Sequence, residues 1–178
     1  MIQVKHRVEL YKVADTNLPA IEVGCAEGYF SADLLRMGFP KLYMVDMWAT
    51  IKTAKGDGAS PQSWHDKNYQ DAINRVAEFG NKAVFLRGLS LEMAKFVTDN
   101  SIGLLYLDAG HDYDSVYEDL NAWHSKVVKG GIIAGHDYLN KAYGVKEAVH
   151  DFCRPLNIDV HLIPENKDED AGFYFVKP

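Results

Sequence analysis

Four residues stand out for the chemistry their types and spacing could do: Asp108, His111, His136 and Asp137. In "LLYLDAGHDYDSVYEDL" (104–120) an apolar run stops at Asp108, and His111 follows three positions later. In "GGIIAGHDY" (130–138) another apolar run stops at His136 and Asp137. Carboxylates at the mouth of a buried run can ligate a hard cation, and a histidine there can take a proton near neutral pH. The acids that follow are read differently. Asp112 or Asp114 fits the N-cap of a helix beginning near Ser115. Tyr113, Tyr117 and Trp123 sit at helical spacings expected for packing, and His124 and His150 are expected to face solvent.

The elements that must position these residues alternate along the chain. Buried strands are predicted at "LPAIEVG" (18–24), "KLYMVDMW", "KAVFLRG" (82–88), "IGLLYLD" and "GGIIAGHDY". Helical periodicity follows each: "AEGYFSADLLRMG" closing on Gly38, "YQDAINRVAEFG", "SLEMAKFVTDN" with Ser90 as N-cap, "YDSVYEDLNAWHSKV" and "YGVKEAVHDFCRPLN". The polar stretch "ATIKTAKGDGASPQSWHDKN" reads as a long loop, in which Trp64 and His65 could form a lid. "IDVHLI" and "GFYFVKP", around the acidic "PENKDED", read as an antiparallel hairpin. Strand–helix alternation predicts an α/β, Rossmann-like doubly wound sheet of about seven strands, mostly parallel, with an antiparallel C-terminal hairpin strand. Ligands of such sheets bind at the carboxyl ends of the strands, the edge that carries all four residues.

A second cluster lies on the same edge. "IEVGCAEGYF" puts Gly24, Ala26 and Gly28 where the first strand turns into a helix, and Asp46 closes the second strand. Small residues let a backbone approach a ligand, and a strand-end carboxylate can accept hydrogen bonds from ribose hydroxyls. The dinucleotide fingerprint fails, because Tyr29 stands where it needs glycine or alanine, which counts against an oxidoreductase.

The sequence Glu22-Val-Gly24-Cys-Ala26-Glu-Gly28 resembles motif I of class I S-adenosylmethionine-dependent methyltransferases, with alanine at the middle glycine. "YLDAGHDYDSVYEDLNAWHSKVVKGGIIAGHDY" resembles the metal-assisted small-molecule O-methyltransferases, in the branch of antibiotic-sugar O-methyltransferases and cephalosporin-hydroxylase-like proteins. The resemblance runs from about residue 18 to the end and implies one methyltransferase domain over 1–178. It implies that Glu22 and Gly24 to Gly28 hold the methionine part of S-adenosylmethionine and that Asp46 takes its ribose. Met47, Gly88 and Ser90 would border the adenine, although Gly88 fits a plain turn equally well. It places Asp108, His136 and Asp137 at a divalent cation, Mg²⁺ or Mn²⁺, with His136 either a ligand or a hydrogen-bond partner of one. His111 is the expected general base, working beside Asp108 on the hydroxyl of a small acceptor. The alternative is a catalytically inactive S-adenosylmethionine-binding module, motivated by the short stretch ahead of the first strand.

Bulk properties agree with a small-molecule enzyme. A net charge of −6 over 178 residues argues against general affinity for nucleic acid or anionic membranes. Two cysteines are too few for a disulfide framework, and no run approaches the ~20 apolar residues of a membrane span, so a cytoplasmic protein is expected. Small size and the last hairpin permit a homodimer.

Overall fold

The computed structural model describes residues 3–52, 56–164 and 171–178. Its centre is a seven-stranded sheet: β1 (Ala20–Val23), β2 (Leu42–Asp46), β3 (Ala83–Arg87), β4 (Ile102–Leu107), β5 (Val127–Gly135), β6 (His161–Ile163) and β7 (Gly172–Val176). The strand order is β3-β2-β1-β4-β5-β7-β6. β1 to β5 pair in parallel, whereas β7 runs antiparallel to both β5 and β6. This is the predicted architecture, hairpin included; most of the acidic loop of that hairpin, 165–170, lies outside the described residues.

Helices cover both faces, which explains why the strands read as unbroken apolar runs. Every residue of β1 and of β4 is buried. Alternate residues serve opposite cores. Ile21, Val23, Leu105, Ile133 and Phe175 pack with Leu120 and Trp123 of α4 (Tyr113–His124) and Val149 and Phe152 of α5 (Val145–Cys153). Ala20, Met44, Leu104 and Tyr106 pack with Leu34 and Leu35 of α1 (Tyr29–Arg36) and Ala72 and Val76 of α2 (Gln62–Val76). Leu10, from a 3-10 helix at Arg7–Lys12, joins this second core and is fully buried.

Two local readings need correction. The long loop is shorter than expected, because α2 begins at Gln62 behind Pro61, and Trp64 and His65 lie in its first turn. Its buried stripe runs His65, Asn68, Ala72, Val76, and two polar residues at the start of that stripe hid the helical period. His65 is 7% exposed, so it belongs to the packing beneath α2 and not to a lid. Residues 53–55 of the same stretch lie outside the described residues. Ser90 does not cap its helix. It is the first residue of the short α3 (Ser90–Met93), Leu89 occupies the cap position, and no side chain bonds the free amides there. The Ser90 hydroxyl instead donates to Asp119 and accepts from Trp123 Nε1 at 2.8 Å, tying α3 to α4.

That tie carries a pH-dependent stability. Burial pushes the Asp119 carboxyl from 3.8 up to about 6, against the hydrogen bond from Ser90, which lowers it. The folded state thus binds this proton more tightly than the unfolded chain does, and stability from the group is lost as pH rises between those two values. Asp119→Asn keeps the acceptor for Ser90 and has no charge to bury. Urea titrations should show the variant and wild type alike near pH 4, with the variant more stable by on the order of 2–3 kcal/mol at pH 8. Equal stability at pH 8 would contradict this account.

Candidate active site

The sheet reverses its strand order between β1 and β4, and an open α/β sheet has its ligand crevice at such a point. Gly24 and Asp108 flank it. Asp108 N–H donates to Val23 O at 2.8 Å, and Gly24 N–H donates to Val45 O at 2.8 Å, so the three strand ends are locked together. Gly24, at φ +92°, passes so close to β4 that a Cβ would stand 2.1 Å from the Asp108 carbonyl oxygen. Gly28, at φ +76°, caps α1 and would set a Cβ 3.2 Å from Ala72 Cα in α2. Glycine at these two places is demanded by the chain's own packing, beyond any approach of a ligand.

Between them Ala26 also adopts a left-handed φ of +43°. Its N–H donates to Asp46 Oδ2 at 2.9 Å, and its carbonyl accepts from Trp48 Nε1 at 2.8 Å. Asp46 Oδ1 accepts from Trp48 N–H at 2.8 Å. The β2 carboxylate therefore shapes the Gly24–Gly28 turn as well as facing the crevice. A carboxylate has about four acceptor positions, and the two bonds leave it able to accept ribose hydroxyls. Met47 is half-buried beside it, and Gly88 N–H donates to Asp46 O at 3.0 Å, so the predicted adenine border stands next to the predicted ribose residue. Ser90 is near in sequence, but its hydroxyl is turned to Asp119 and Trp123.

Glu22 pairs with Tyr106 across β1 and β4 and is 2% exposed. Burial pushes its carboxyl up to about 8, and the nearby Asp108 charge adds to the rise, against the Ser31 hydroxyl that donates to it. At neutral pH this acid is mostly uncharged.

The four residues of the opening observation come together on the other side of the crevice. His111 Nε2 lies 3.4 Å from Asp108 Oδ1 and 3.1 Å from Asp137 Oδ2. One donor atom each from Asp108, His111 and Asp137 falls within 4.8 Å of the others, a spacing that a single ion could span. His136 Nδ1 flanks the group, 3.3 Å from Asp137 Oδ2. Strand pairing makes the juxtaposition: Leu107 pairs with Gly135, and both strands then end. Asp137 takes φ +56°, an uncommon conformation for a residue with a side chain, in the tight turn that follows β5.

Electrostatics matches the contacts. Burial works to lower the pKa of both histidines, but hydrogen bonds and the charges of Asp108 and Asp137 outweigh it and hold both above the ordinary value. Asp137 goes the other way: burial works to raise it, and the His136 hydrogen bond with the two imidazoles brings it below the ordinary value. Asp112 caps α4 as expected, its Oδ1 accepting from Ser115 N–H at 3.0 Å. His124 departs from expectation, being half-buried against Phe152, whereas His150 is exposed and lies 2.7 Å from the Tyr138 hydroxyl.

Residues 21–138 match the family model described as a methyltransferase domain. The chain belongs to that family. It is a class I S-adenosylmethionine-dependent methyltransferase, and its fold resembles that of an antibiotic-sugar O-methyltransferase. No curated protein matches the chain. Solved structures share its fold at low identity. The TDP-rhamnose 3'-O-methyltransferase CalS11 of calicheamicin biosynthesis is 18% identical, with a TM-score of 0.66 over 96% of this chain and 77% of its own. The Streptococcus mutans protein SMU.1697c, in complex with SAH, is 17% identical, with a TM-score of 0.70 over 100% of both chains. An rRNA methylase from Streptococcus thermophilus is 15% identical, with a TM-score of 0.67 over 99% of this chain and 98% of its own. Among the described residues no helix of this methyltransferase is long and apolar enough to cross a membrane.

Several neighbours of the site gave no sequence signal. Arg7 reaches Asp108 from outside the sheet, its Nη1 3.7 Å from Oδ2. Arg75 grips the turn from α2, donating from Nε to Glu27 O at 2.9 Å. Tyr143 stacks on His111 with ring centroids 4.7 Å apart. Only Trp48, directly after Asp46-Met47, could have been flagged, as a bulky residue at a strand end that must otherwise turn tightly.

Proposed function

We propose that this methyltransferase acts on a hydroxyl group of a small molecule, a sugar or another hydroxylated metabolite, with the help of a divalent cation. The observation that carries the reading is the convergence of Asp108, His111 and Asp137 at the crevice that the Gly24–Gly28 turn also borders. Carboxylate oxygens suit Mg²⁺ or Mn²⁺, and an imidazole in reach favours Mn²⁺ of the two. An inert cofactor-binding module would have no use for such a cluster. The acidic net charge supports a small acceptor over RNA, and the acceptor named for CalS11 makes TDP-rhamnose a reasonable first probe.

S-adenosylmethionine, when bound, would supply an electrophilic methyl group, and a cation held at the cluster would lower the pKa of the acceptor hydroxyl. The chain does the rest. Asp108 and Asp137 would hold the cation from two strand ends. His136 hydrogen-bonds Asp137 and fixes its orientation. His111 Nε2 takes the hydroxyl proton, and Tyr143, stacked on the ring, limits its access to water.

The test is transfer of labelled methyl groups to TDP-rhamnose and to a panel of sugars and catechols, with Mn²⁺ or with chelator. Turnover that requires the cation supports the reading, and turnover indifferent to chelator removes the metal. Transfer to RNA alone would replace the acceptor class.

His111→Ala separates the base from the ligands. Loss of a general base should lower kcat by about 100-fold or more while Mn²⁺ affinity stays within about threefold. A parallel fall in Mn²⁺ affinity would make His111 a ligand instead.

A further inference from the structure

We propose that Tyr143 is the specificity-determining residue of the acceptor site, a platform for the flat apolar face of a ring, arene or pyranose, whose hydroxyl reacts at the Asp108–His111–Asp137 cluster. The inference rests on the reading of that cluster as the place of methyl transfer, and it adds what the acceptor must present beside the reacting hydroxyl.

Tyr143 stands in the loop between β5 and α5, and hydrogen bonds fix that loop. Asn140 N–H donates to Asp137 O at 3.2 Å, Tyr143 N–H donates to Asn140 O at 3.2 Å, and Gly144 N–H donates to His111 O at 2.9 Å. Ala142 N–H donates to the Asn140 side chain, Oδ1, at 3.1 Å. Gly144 is pressed so close to the start of α4 that a Cβ would stand 2.4 Å from Tyr113 N. The loop is thus tied to Asp137 at one end and to His111 at the other. It sets the phenol ring nearly parallel to the His111 imidazole, with centroids 4.7 Å apart and 21° between the planes. Nε2 of that imidazole lies 3.1 Å from Asp137 Oδ2 and 3.4 Å from Asp108 Oδ1, so Tyr143 is one ring thickness from the cluster.

A single exposed tyrosine is ordinary on a protein surface, but this one is held in place beside the chemistry. Tyr143 is 41% exposed although His111 covers one face of its ring, so its open part is the side turned away from the imidazole. Tyr113, exposed next to it, is accounted for by the fold: its ring stacks on Tyr117 at 5.7 Å and its hydroxyl donates to Asp151 Oδ2 at 3.1 Å. Tyr143 instead gives the rim of a cluster of carboxylates and imidazoles an apolar surface. A hydroxyl held at the cluster brings the rest of its molecule against that surface. A tyrosine ring offers broad contact area for only two side-chain torsions. Here the loop orders it before any ligand arrives, so little freedom is left to lose on binding. The polar cluster selects a hydroxyl, and the flat surface beside it selects a ring. An acyclic hydroxyl compound could reach the cluster but would leave the platform uncovered.

Calorimetry and kinetics test this with catechol and TDP-rhamnose as the two ring acceptors. Tyr143→Leu still shields the His111 imidazole but has no flat face, whereas Tyr143→Phe keeps the face. With S-adenosylhomocysteine bound, Tyr143→Leu should weaken acceptor binding by about 3- to 10-fold and Tyr143→Phe by less than about twofold. In methyl transfer the same loss should appear in KM, with kcat within about twofold, because the stack is made equally in the ground state and the transition state. A loss with catechol alone supports an arene as the ring, and a loss with TDP-rhamnose alone supports a pyranose. Wild-type affinity and KM for both acceptors in Tyr143→Leu would overturn the proposal. A fall in kcat at constant KM would also overturn it and leave Tyr143 as a support for His111. If the wild-type protein neither bound nor methylated either acceptor, the reading of the cluster would fall first, and this inference with it.

Discussion

Gly24→Ala is expected to cost the protein more than about 4 kcal/mol of stability and, with it, all measurable cofactor binding. Two penalties combine. At φ +92° an alanine is strained in any surroundings, by about 1–3 kcal/mol. The added methyl would also stand 2.1 Å from the Asp108 carbonyl oxygen, 2.4 Å from its carbon and 2.7 Å from Ala109 N. These are backbone atoms, so no side-chain rotation relieves the clash. The ends of β1 and β4 must part, and the bond from Asp108 N–H to Val23 O goes with them. Because Asp108 stands on the same hinge, the cation site should be displaced along with the cofactor turn. Gly28→Ala is the graded control. It meets Ala72 at 3.2–3.3 Å, a contact that small shifts of α2 can ease, and should cost only about 1–2 kcal/mol. Thermal melts with titration of S-adenosylhomocysteine check both variants. A Gly24→Ala protein that melts like wild type yet fails to bind would mean that this glycine serves the ligand alone.

That argument also marks where the sequence could be read and where it could not. The sheet, its parallel order and the C-terminal hairpin were legible because β1 and β4 are buried on both faces and leave unbroken apolar runs. Asp46, Asp108 and Asp137 were legible as charges that end those runs. The start of α2 was not, since His65 and Asn68 occupy buried positions with polar side chains and break the apolar period. Ser90 was misread because a serine before an apolar pattern usually caps a helix, and only the tertiary fold shows Asp119 and Trp123 waiting for its hydroxyl. Arg7 is one of three basic residues, with Lys5 and Lys12, in a charged stretch, and nothing local says that it meets Phe30 and Asp108, 23 and 101 positions away. The sequence could therefore specify which edge of the sheet works but not which distant segments close it. The middle alanine of the motif is a partial case. Its small size was read correctly, but the left-handed backbone it adopts depends on Asp46 and Trp48, which hold its N–H and carbonyl.

Asp137→Ala should reduce methyl transfer by about 1000-fold or more, equivalent to the several kcal/mol that a cation's charge supplies to the reacting hydroxyl, and should leave cofactor affinity within about threefold. The separation follows from position. Asp137 belongs to the turn after β5, whereas the Gly24–Gly28 turn, Asp46 and Gly88 belong to β1, β2 and β3 on the far side of β4. Folding should not be the cause of the loss. Removing Asp137 takes an acceptor from His136 and His111, but it also relieves the repulsion between two carboxylates that a single imidazole bridges. Alanine at φ +56° adds about 1 kcal/mol of strain. Asp137→Asn therefore completes the experiment, since asparagine tolerates that backbone and keeps the shape while losing the charge. Both variants should bind Mn²⁺ far more weakly than wild type and S-adenosylhomocysteine nearly as well. Full activity in Asp137→Asn would show that charge at this position is dispensable, and the cation would leave the mechanism. A loss of activity accompanied by an equal loss of cofactor affinity would instead mean that the two halves of the crevice are one site, with Asp108 as the residue that joins them.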